Sequence, residues 1–331
     1  MIRSHLSSWR LRLGLLAALI AVVGGGLAFD AVRSMPPADA NPAYGNVKPN
    51  PQTKVIIQGY YFTVPVSFTT CSSNVISCKL GAYDVNMRWD TTRLARVTAT
   101  GTTTGGNAST TVKDTTKTWK LNQWAGAALE ITSGACMGYS IVTSNTSNAV
   151  NVSPPLPCAP AAGDSYKLGG LQDGGWMGST GRPVTCPIGE TNGANWAELH
   201  CITLGATPAG PTGTGNLTTA LVFQALTHGP NAANLWLTGN NPATAVLQID
   251  GNYIPADILD GNRRIIICPD ASPSADGIIT ASDLGATAAA FGKTTSQPGY
   301  TPQKDPSEDG LITSADLGLT AAVFGLRCVQ P

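Results

Sequence analysis

The sequence predicts a mainly β protein that ends in a small helical module. Short runs of β-branched and aromatic residues alternate with turn residues through the middle of the chain. The 331 residues include 37 glycines and 23 prolines, which punctuate such strands. A helix-forming phrase then occurs twice near the end. A chain of this length has room for two or three domains.

The N-terminus has the pattern of an export signal. Arg3 and Arg10 precede an apolar stretch from Leu13 to Phe29, and small residues follow up to Ala40. We interpret residues 1–40 as a signal peptide. The alternative is an uncleaved N-terminal membrane anchor, since the apolar stretch is at the lower limit of a membrane span. Both interpretations place the rest of the chain outside the cytoplasm, as a secreted or cell-surface protein.

Eight cysteines agree with an exported, disulfide-bonded protein. We favour pairing in chain order, because each pair then lies inside one predicted segment. The predicted disulfides are Cys71–Cys78, Cys136–Cys158, Cys186–Cys201 and Cys268–Cys328. The sequence contains no C-x-x-C motif, which argues against a zinc ribbon or a thioredoxin-like redox site.

Composition and motifs predict a protein that is neither a nucleic-acid binder nor an enzyme. Charged residues make up 12% of the chain and the net charge is zero, so a basic face for nucleic acid is not expected. Beyond the predicted signal only His200 and His228 remain, and neither H-E-x-x-H nor G-x-S-x-G occurs. We expect Glu190 and Glu198, the candidate glycosidase carboxylates, to be solvated loop residues.

Apolar and polar residues alternate along the body of the chain, as they do in the strands of a β-sandwich. After a linker predicted at 41–53, "KVIIQGYYFTVPVSFTT" and "LGAYDVNMRWDTTRLARVTAT" begin the pattern, and "GNLTTALVFQAL" and "AVLQIDGNYIPADILDGNRRIIIC" continue it. These runs predict the strands of an all-β sandwich.

The sandwich is interrupted by an inserted segment at 99–168. It contains "STTVKDTTKTWKLNQWAGAALEITSG" and "YSIVTSNTSNAVNVSPPLP", with its own predicted cysteine pair. Surface loops tolerate such insertions, and we interpret the segment as a small β domain. The alternative is a long irregular loop.

The repeated phrase has the spacing of a cation-binding loop followed by a helix. "DGIITASDLGATAAAFG" and "DGLITSADLGLTAAVFG" lie 33 residues apart and agree at 12 of 17 positions. Oxygen ligands at loop positions 1, 3, 5, 7, 9 and 12 suit calcium, and a glycine at position 6 permits the turn. The second loop supplies Asp305, Ser307, Asp309, the Leu311 carbonyl, Thr313 and Asp316. We expect Leu317, Ala321 and Phe324 to form the apolar face of the helix that follows, and Ile312 to pack between paired loops.

The first copy, aligned without a gap, departs from this pattern at its start. Its ligands become Ser272, Ser274, Asp276, the Ile278 carbonyl, Thr280 and Asp283. Position 1 then lacks an acid, and Asp270 lies two residues too early unless the loop bulges around Pro273. Calcium is therefore predicted chiefly at the second loop. The alternative is that both phrases are only helix N-caps, a role in which Asp and Ser are common.

The segment 268–328 resembles a type I dockerin, in which two loop–helix units each close a calcium loop with aspartate. The resemblance implies a small EF-hand-like helical module. It also implies that residues just before each closing aspartate contact a cohesin partner. These residues are Ala281, Ser282, Ser314 and Ala315.

The body resembles a cohesin module, through "YYFTVPVSF", "LGAYDVNMRWDTTRL", "PTGTGNLTTALVFQAL" and "IPADILDGNRRIII". This resemblance implies a discontinuous cohesin-like β-sandwich at residues 54–98 and 169–267. The inserted segment resembles a small β unit found within other surface and phage-associated proteins. Together these resemblances imply an exported assembly protein that binds a cohesin- or dockerin-bearing partner, within one molecule or between copies, in the setting of polysaccharide-degrading surface complexes. Two alternatives remain: a structural spacer, and a polysaccharide-binding protein with exposed aromatic rings. The candidate rings for the second are Trp89, Trp176, Trp196 and Trp236.

Overall fold

The computed structural model describes residues 45–69, 80–203, 211, 213–239, 243–248, 254 and 256–330. The predicted signal segment and the predicted Cys71–Cys78 disulfide lie outside these residues. The strands are β1 Asn46–Pro49, β2 Thr53–Ile57, β3 Tyr61–Val64, β4 Val66–Thr69, β5 Leu80–Trp89, β6 Leu94–Val97, β7 Ala99–Thr102, β8 Thr111–Lys113, β9 Ala128–Ile131, β10 Gly138–Asn145, β11 Ala149–Ser153, β12 Ser165–Gly170, β13 Val184–Thr185, β14 Glu190–Gly193, β15 Trp196–Thr203, β16 Gly215–Asn216, β17 Leu221–Ala225, β18 Ala233–Trp236, β19 Ala245–Gln248, β20 Asp257–Ile258 and β21 Gly261–Ile266. The helices are α1 Ala281–Ala289, a 3-10 helix Pro302–Lys304 and α2 Ser314–Ala322.

The body is a two-layer β-sandwich, which confirms the predicted mainly β class. One layer is the sheet β13-β15-β5-β18-β21-β2, with β14 beside β15 and β19 beside β5. The other layer consists of the sheets β16-β4-β1-β20 and β3-β17-β6. A single apolar cluster lies between the layers and includes residues of all three sheets, among them Phe68, Phe223 and Met87.

The central strand β5 shows how the alternation of side chains forms this core. Tyr83, Val85 and Trp89 point into the apolar cluster, as the period of two requires. The intervening Asp84 and Asn86 lie on the opposite face and are nevertheless buried. The sheet is therefore covered on both faces at this strand, and its second face is polar.

The second layer is divided at Pro65, and it begins earlier in the chain than predicted. Pro65 separates β3 from β4, because proline cannot donate to a strand ladder. Strand β1 lies within the predicted linker 41–53, where it pairs with β4 and β20. Its Val47 is fully buried in the core. The linker prediction is thus wrong for β1, since one buried valine is enough to place a short strand in the sheet.

The chain from β7 to β12 forms a separate six-stranded sheet, in the order β7-β12-β9-β10-β11-β8. Its own core includes Trp124, Val150 and Tyr166, with Trp119 packed edge-on against the rings of Trp124 and Tyr166. The inserted segment is therefore a folded β unit and not an irregular loop.

Three of the predicted disulfides are confirmed. Cys136–Cys158 lies in the inserted unit, Cys186–Cys201 in the body, and Cys268–Cys328 joins the start of the repeats to their end. Of the helices within the described residues, none is long and apolar enough to cross a membrane.

The two repeats pack against the body. Ile279 of the first repeat and Val323 of the second form a buried cluster with Ile57 of β2 and Ile266 of β21. The Tyr60 hydroxyl donates to the backbone carbonyl of Arg327. The Gln330 side chain accepts from the Tyr61 amide at 2.7 Å and donates to the Leu121 carbonyl of the inserted unit at 3.3 Å. The C-terminal tail thereby contacts both the body and the inserted unit.

Candidate metal centre

Three carboxylates converge in the second repeat. The side-chain oxygens of Asp305, Asp309 and Asp316 lie within 4.8 Å of one another. Asp305 and Asp316 are buried, and Asp309 is exposed. No ion pair between described residues includes any of the three. Closely spaced carboxylates without a counter-charge suit a hard cation such as calcium, which takes oxygen ligands.

Hydrogen bonds orient the first of these carboxylates. Asp305 accepts from the Tyr300 hydroxyl at 2.7 Å, the Ser307 hydroxyl at 3.0 Å and the Gly310 amide at 2.9 Å. Burial alone would raise the pKa of Asp305, but these hydrogen bonds outweigh it and lower the pKa. Gly310 has a φ of 84°, which glycine adopts without strain, and so the turn at position 6 is as predicted.

The closing aspartate has two roles, because it also caps the helix. Asp316 accepts from the Ser307 amide at 3.0 Å and from the Thr313 amide at 2.7 Å, and the Thr313 hydroxyl accepts from the Ala315 amide. This is a capping box in which the N-cap is Thr313. The capping-box contacts do not include Asp305 or Asp309. The helix cap therefore does not explain why the carboxylates of these two residues lie close to that of Asp316.

The first loop reproduces these hydrogen bonds with a different alignment from the predicted one. Asp270 accepts from the Gly277 amide at 2.8 Å, as Asp305 does from Gly310. The Ser272 amide donates to Asp283 at 2.8 Å, as Ser307 does to Asp316. Asp270 therefore occupies position 1, and Ser272 occupies position 3. The predicted placement of Ser272 at position 1 is wrong.

The alignment fails because the first loop is two residues longer. Ala275 and Glu308 both have left-handed backbones, with φ of 40° and 57°, and both directly precede the position-5 aspartate. Pro273 and Ser274 are therefore the extra residues. The predicted placement of Ser274 at position 3 is also wrong; its hydroxyl bonds instead to that of Ser272 at 2.8 Å.

The first loop also contains three acids near one another. Burial raises the pKa of Asp270, and the nearby charges of Asp283 and Asp276 raise it further, although the Gly277 amide opposes them. Burial would raise the pKa of Asp283 too, but bonds from Thr280 and Ser272 lower it to about 2. Oδ1 of Asp270 is buried and has no donor among the described residues. Asp270 is the position-1 acid that the ungapped alignment missed. In contrast to the acids of the second loop, Asp270, Asp276 and Asp283 do not bring their side-chain oxygens within 4.8 Å of one another.

The remaining predicted ligands lie in equivalent places in the two loops. The amide of Leu311 donates to Asp309 and that of Ile278 donates to Asp276, both at 2.9 Å. The hydroxyls of the position-9 residues, Thr280 and Thr313, serve as N-caps. The predicted partner contacts are exposed at the helix starts; they are Ala281, Ser282, Ser314 and Ala315.

One prediction about the second repeat is wrong. The expected apolar face of α2 is mostly exposed, and Phe324 is 53% exposed. The buried side is formed by Asp316, Thr320 and Val323. This side is buried because Asp316 belongs to the helix cap and Val323 packs against the body. Ile312 is buried, as expected of a residue packed between loops, and its amide donates to the Lys293 carbonyl after α1 at 2.9 Å.

A second polar cluster lies on the polar face of the body sheet. His200 contacts Asp84 through Nδ1 at 3.1 Å and Glu198 through Nε2 at 3.0 Å, and all three residues are buried. Burial lowers the pKa of His200, but the two carboxylates outweigh burial and raise it to about 9. The imidazolium is therefore the cation of this cluster, and both ring nitrogens are engaged.

The expectation that Glu190 and Glu198 are solvated loop residues is wrong. Glu198 lies in β15 and is 5% exposed. Glu190 lies in β14, pairs with Arg96 and accepts from the Leu171 amide at 2.7 Å. Both carboxylates hold parts of the body together.

The four body tryptophans do not form an exposed platform. Trp89 is 2% exposed, and Trp176, Trp196 and Trp236 are half-buried. Trp176 packs on Phe68 with ring centroids 5.9 Å apart. The observation that would favour sugar binding is therefore missing from the described part of the chain.

No family model and no curated protein matches the chain. Similar solved structures include a type I cohesin–dockerin complex from Clostridium thermocellum, at 10% identity and a TM-score of 0.34, covering 67% of this chain and 99% of the other. They also include the sixth cohesin of scaffoldin B from Acetivibrio cellulolyticus, in complex with a Cel5 dockerin, at 9% identity, a TM-score of 0.33 and the same coverage. A type II cohesin domain from the cellulosome of that organism has 10% identity and a TM-score of 0.32, covering 66% of this chain and 95% of the other. Similarity at these values does not indicate what this chain binds.

Proposed function

We propose that this is an exported, non-catalytic protein that binds another protein through its calcium-dependent C-terminal repeats. The observation that carries the proposal is the convergence of Asp305, Asp309 and Asp316 within 4.8 Å without an ion pair among the described residues. Bringing three carboxylates together is unfavourable without a compensating charge.

The residues of the loops would bind the ion and orient the helices. A calcium ion supplies the positive charge that the clustered carboxylates lack. Asp316 and Asp283 each belong both to a loop and to a capping box, so the loops and the starts of α1 and α2 form one unit. Ordering the loops therefore orders the helix ends.

The ordered helices would present a binding face to the partner. Ala281, Ser282, Ser314 and Ala315 are exposed at the two helix starts. Phe291 and Phe324, which occupy equivalent positions in the repeats, are 58% and 53% exposed. Exposed aromatic side chains on a small module are typical of a protein-binding surface.

The class of partner follows from the sequence resemblances. The dockerin-like repeats favour a cohesin-bearing protein, and the cohesin-like body favours a dockerin-bearing one, including further copies of this chain. Three disulfides agree with an extracellular location.

Calorimetric calcium titration of the full chain tests the proposal. The informative variant is Asp309→Asn, because Asp309 is exposed and is not part of the cap, whereas Asp316→Ala would also remove the cap. We expect calcium binding in the wild type and the loss of one site in Asp309→Asn. The matched control is Asp90→Asn, in a body turn where Asp90 accepts from Thr92. An absence of calcium heat in the wild type would contradict the proposal and leave the repeats as capped helices of a structural spacer.

A further inference from the structure

The second loop, besides holding three acids, is in direct contact with the body. Nη2 of Arg264, in β21, donates to the Ser307 carbonyl at 2.5 Å. Nδ1 of His228, in the segment after β17, contacts the carboxylate of Glu308. Ser307 and Glu308 are positions 3 and 4 of the loop, so the body contacts the loop between its first two acids.

The equivalent positions of the first loop are Ser272 and Ala275, as the shared hydrogen bonds and left-handed backbones establish. Alanine has no carboxylate for a histidine to contact. Among the described residues, Ser272 bonds only within its own repeat. The two loops therefore share one internal design, but only the second has these polar contacts to the body.

These contacts act on the residues that orient the acids. The amide of Ser307 donates to Asp316 and its hydroxyl donates to Asp305, so a bond to its carbonyl restrains a residue that touches two acids. Glu308 has a φ of 57°, which is unfavourable for a residue with a side chain. His228 contacts the Glu308 side chain in this conformation and so favours the loop shape before an ion arrives.

We propose that Arg264 and His228 are positioning residues of the second calcium loop, so that calcium binding there and attachment of the repeats to the body stabilise each other. The inference rests on the proposed function, because it requires calcium at Asp305, Asp309 and Asp316. Coupling of this kind is reciprocal. If contact with the body raises the calcium affinity of the loop, bound calcium strengthens the contact between the repeats and the body by the same free energy. An ion at the first loop would be bound without these contacts.

The direction in which calcium affinity changes when Arg264 is substituted separates a positioning role from a purely electrostatic one. Arg264 is a cation near a cation site, so removing its charge alone would strengthen calcium binding. Loss of its bond to Ser307 would instead weaken binding, because the loop then has to be ordered at the time of binding. A fall in affinity on removing a positive charge therefore reports the positioning role.

The test is calcium titration of the full chain in two single-site backgrounds. Asp276→Asn leaves the second loop to bind, and Asp309→Asn leaves the first. We expect Arg264→Gln to weaken binding about fivefold or more in the Asp276→Asn background, and to leave binding unchanged in the Asp309→Asn background. Arg264→Lys, which keeps a donor, should recover part of the loss. His228→Gln should show the same preference for the second loop.

Each other result has a distinct meaning. Equal weakening in both backgrounds would indicate general destabilisation and overturn the inference, as would unchanged or tighter binding at the second loop. Binding that Arg264→Gln does not alter would leave the proposed function standing. An absence of calcium binding in the wild type would overturn the proposed function and the inference with it. Lys167→Gln, on the exposed side of β12, is the charge control.

Discussion

Two clusters of ionisable side chains differ in whether they contain a positive charge of their own. In the body, Asp84 and Glu198 enclose His200, whose pKa is raised to about 9, so the cluster contains its own cation. In the second repeat, the side-chain oxygens of three aspartates lie within 4.8 Å of one another, and no ion pair in the described part of the chain includes them. Proximity of carboxylates alone thus does not distinguish a metal site; the lack of a counter-charge is what supports the calcium proposal at the second repeat.

The largest expected effect is on the body cluster. Asp84→Ala removes one carboxylate from a buried imidazolium, and breaking a buried charge pair in this way costs about 3–5 kcal/mol. The free energy of unfolding, measured by denaturant titration in chelator, should fall by that order. Calcium affinity should not change, since the cluster already holds its cation. A loss of calcium binding in this variant would contradict the view that the body cluster is balanced by His200 and takes no part in calcium binding.

Removing calcium should have the next largest effect, and it should act on the repeats. Binding to the folded form alone stabilises it by about 2.7 kcal/mol at a hundredfold excess over the dissociation constant. We expect a lower melting temperature in chelator for the wild type and for His200→Gln alike. In Asp309→Asn the chelator effect should be smaller, because one loop no longer binds.

The pH dependence should come from the body cluster. The ordinary pKa of His200 is 6.5 and its pKa in the folded protein is about 9, so its contribution to stability is complete below pH 6.5 and is lost as the pH rises to about 9. Melting temperatures in chelator should fall across this window. In His200→Gln the slope should flatten. An unchanged slope would show that His200 is not the charge of this cluster.

The smallest effect tests the alignment of the first loop. Asp270→Asn should weaken calcium binding at the first loop, because the residue stands at position 1, whereas Ser274→Ala should leave calcium binding unchanged. Titration in the Asp309→Asn background isolates this loop. If Ser274→Ala weakened binding and Asp270→Asn did not, the ungapped alignment would be correct after all.

Features with a strong local cause could be predicted from the sequence. The alternating strands of the body, three cysteine pairs and the two loop–helix phrases all lie where the patterns indicate. In the second loop, the predicted acids Asp305, Asp309 and Asp316 do meet. Their spacing sets the geometry, because the turn at Gly310 and the cap at Thr313 are both local.

What could not be predicted depends on contacts distant in sequence or on a small insertion. Pro273 and Ser274 shift the first loop by two residues, which an ungapped comparison cannot detect. The buried side of α2 is set by contact with Ile57 and Ile266, not by its own periodicity. The period-two pattern of β15 places Glu198 opposite the core, but does not show that this face is also covered.

The most direct test of the central claim is terbium luminescence of the full chain, because a trivalent lanthanide can replace calcium and be excited by a nearby tyrosine. The hydroxyl of Tyr300 donates to Asp305 at 2.7 Å, which puts such a ring at the second loop. We predict sensitised emission that calcium displaces, that falls in Tyr300→Phe and Asp309→Asn, and that persists in His200→Gln. Emission that is absent from the wild type, or that is unaffected by Tyr300→Phe and Asp309→Asn, would contradict an ion at Asp305, Asp309 and Asp316.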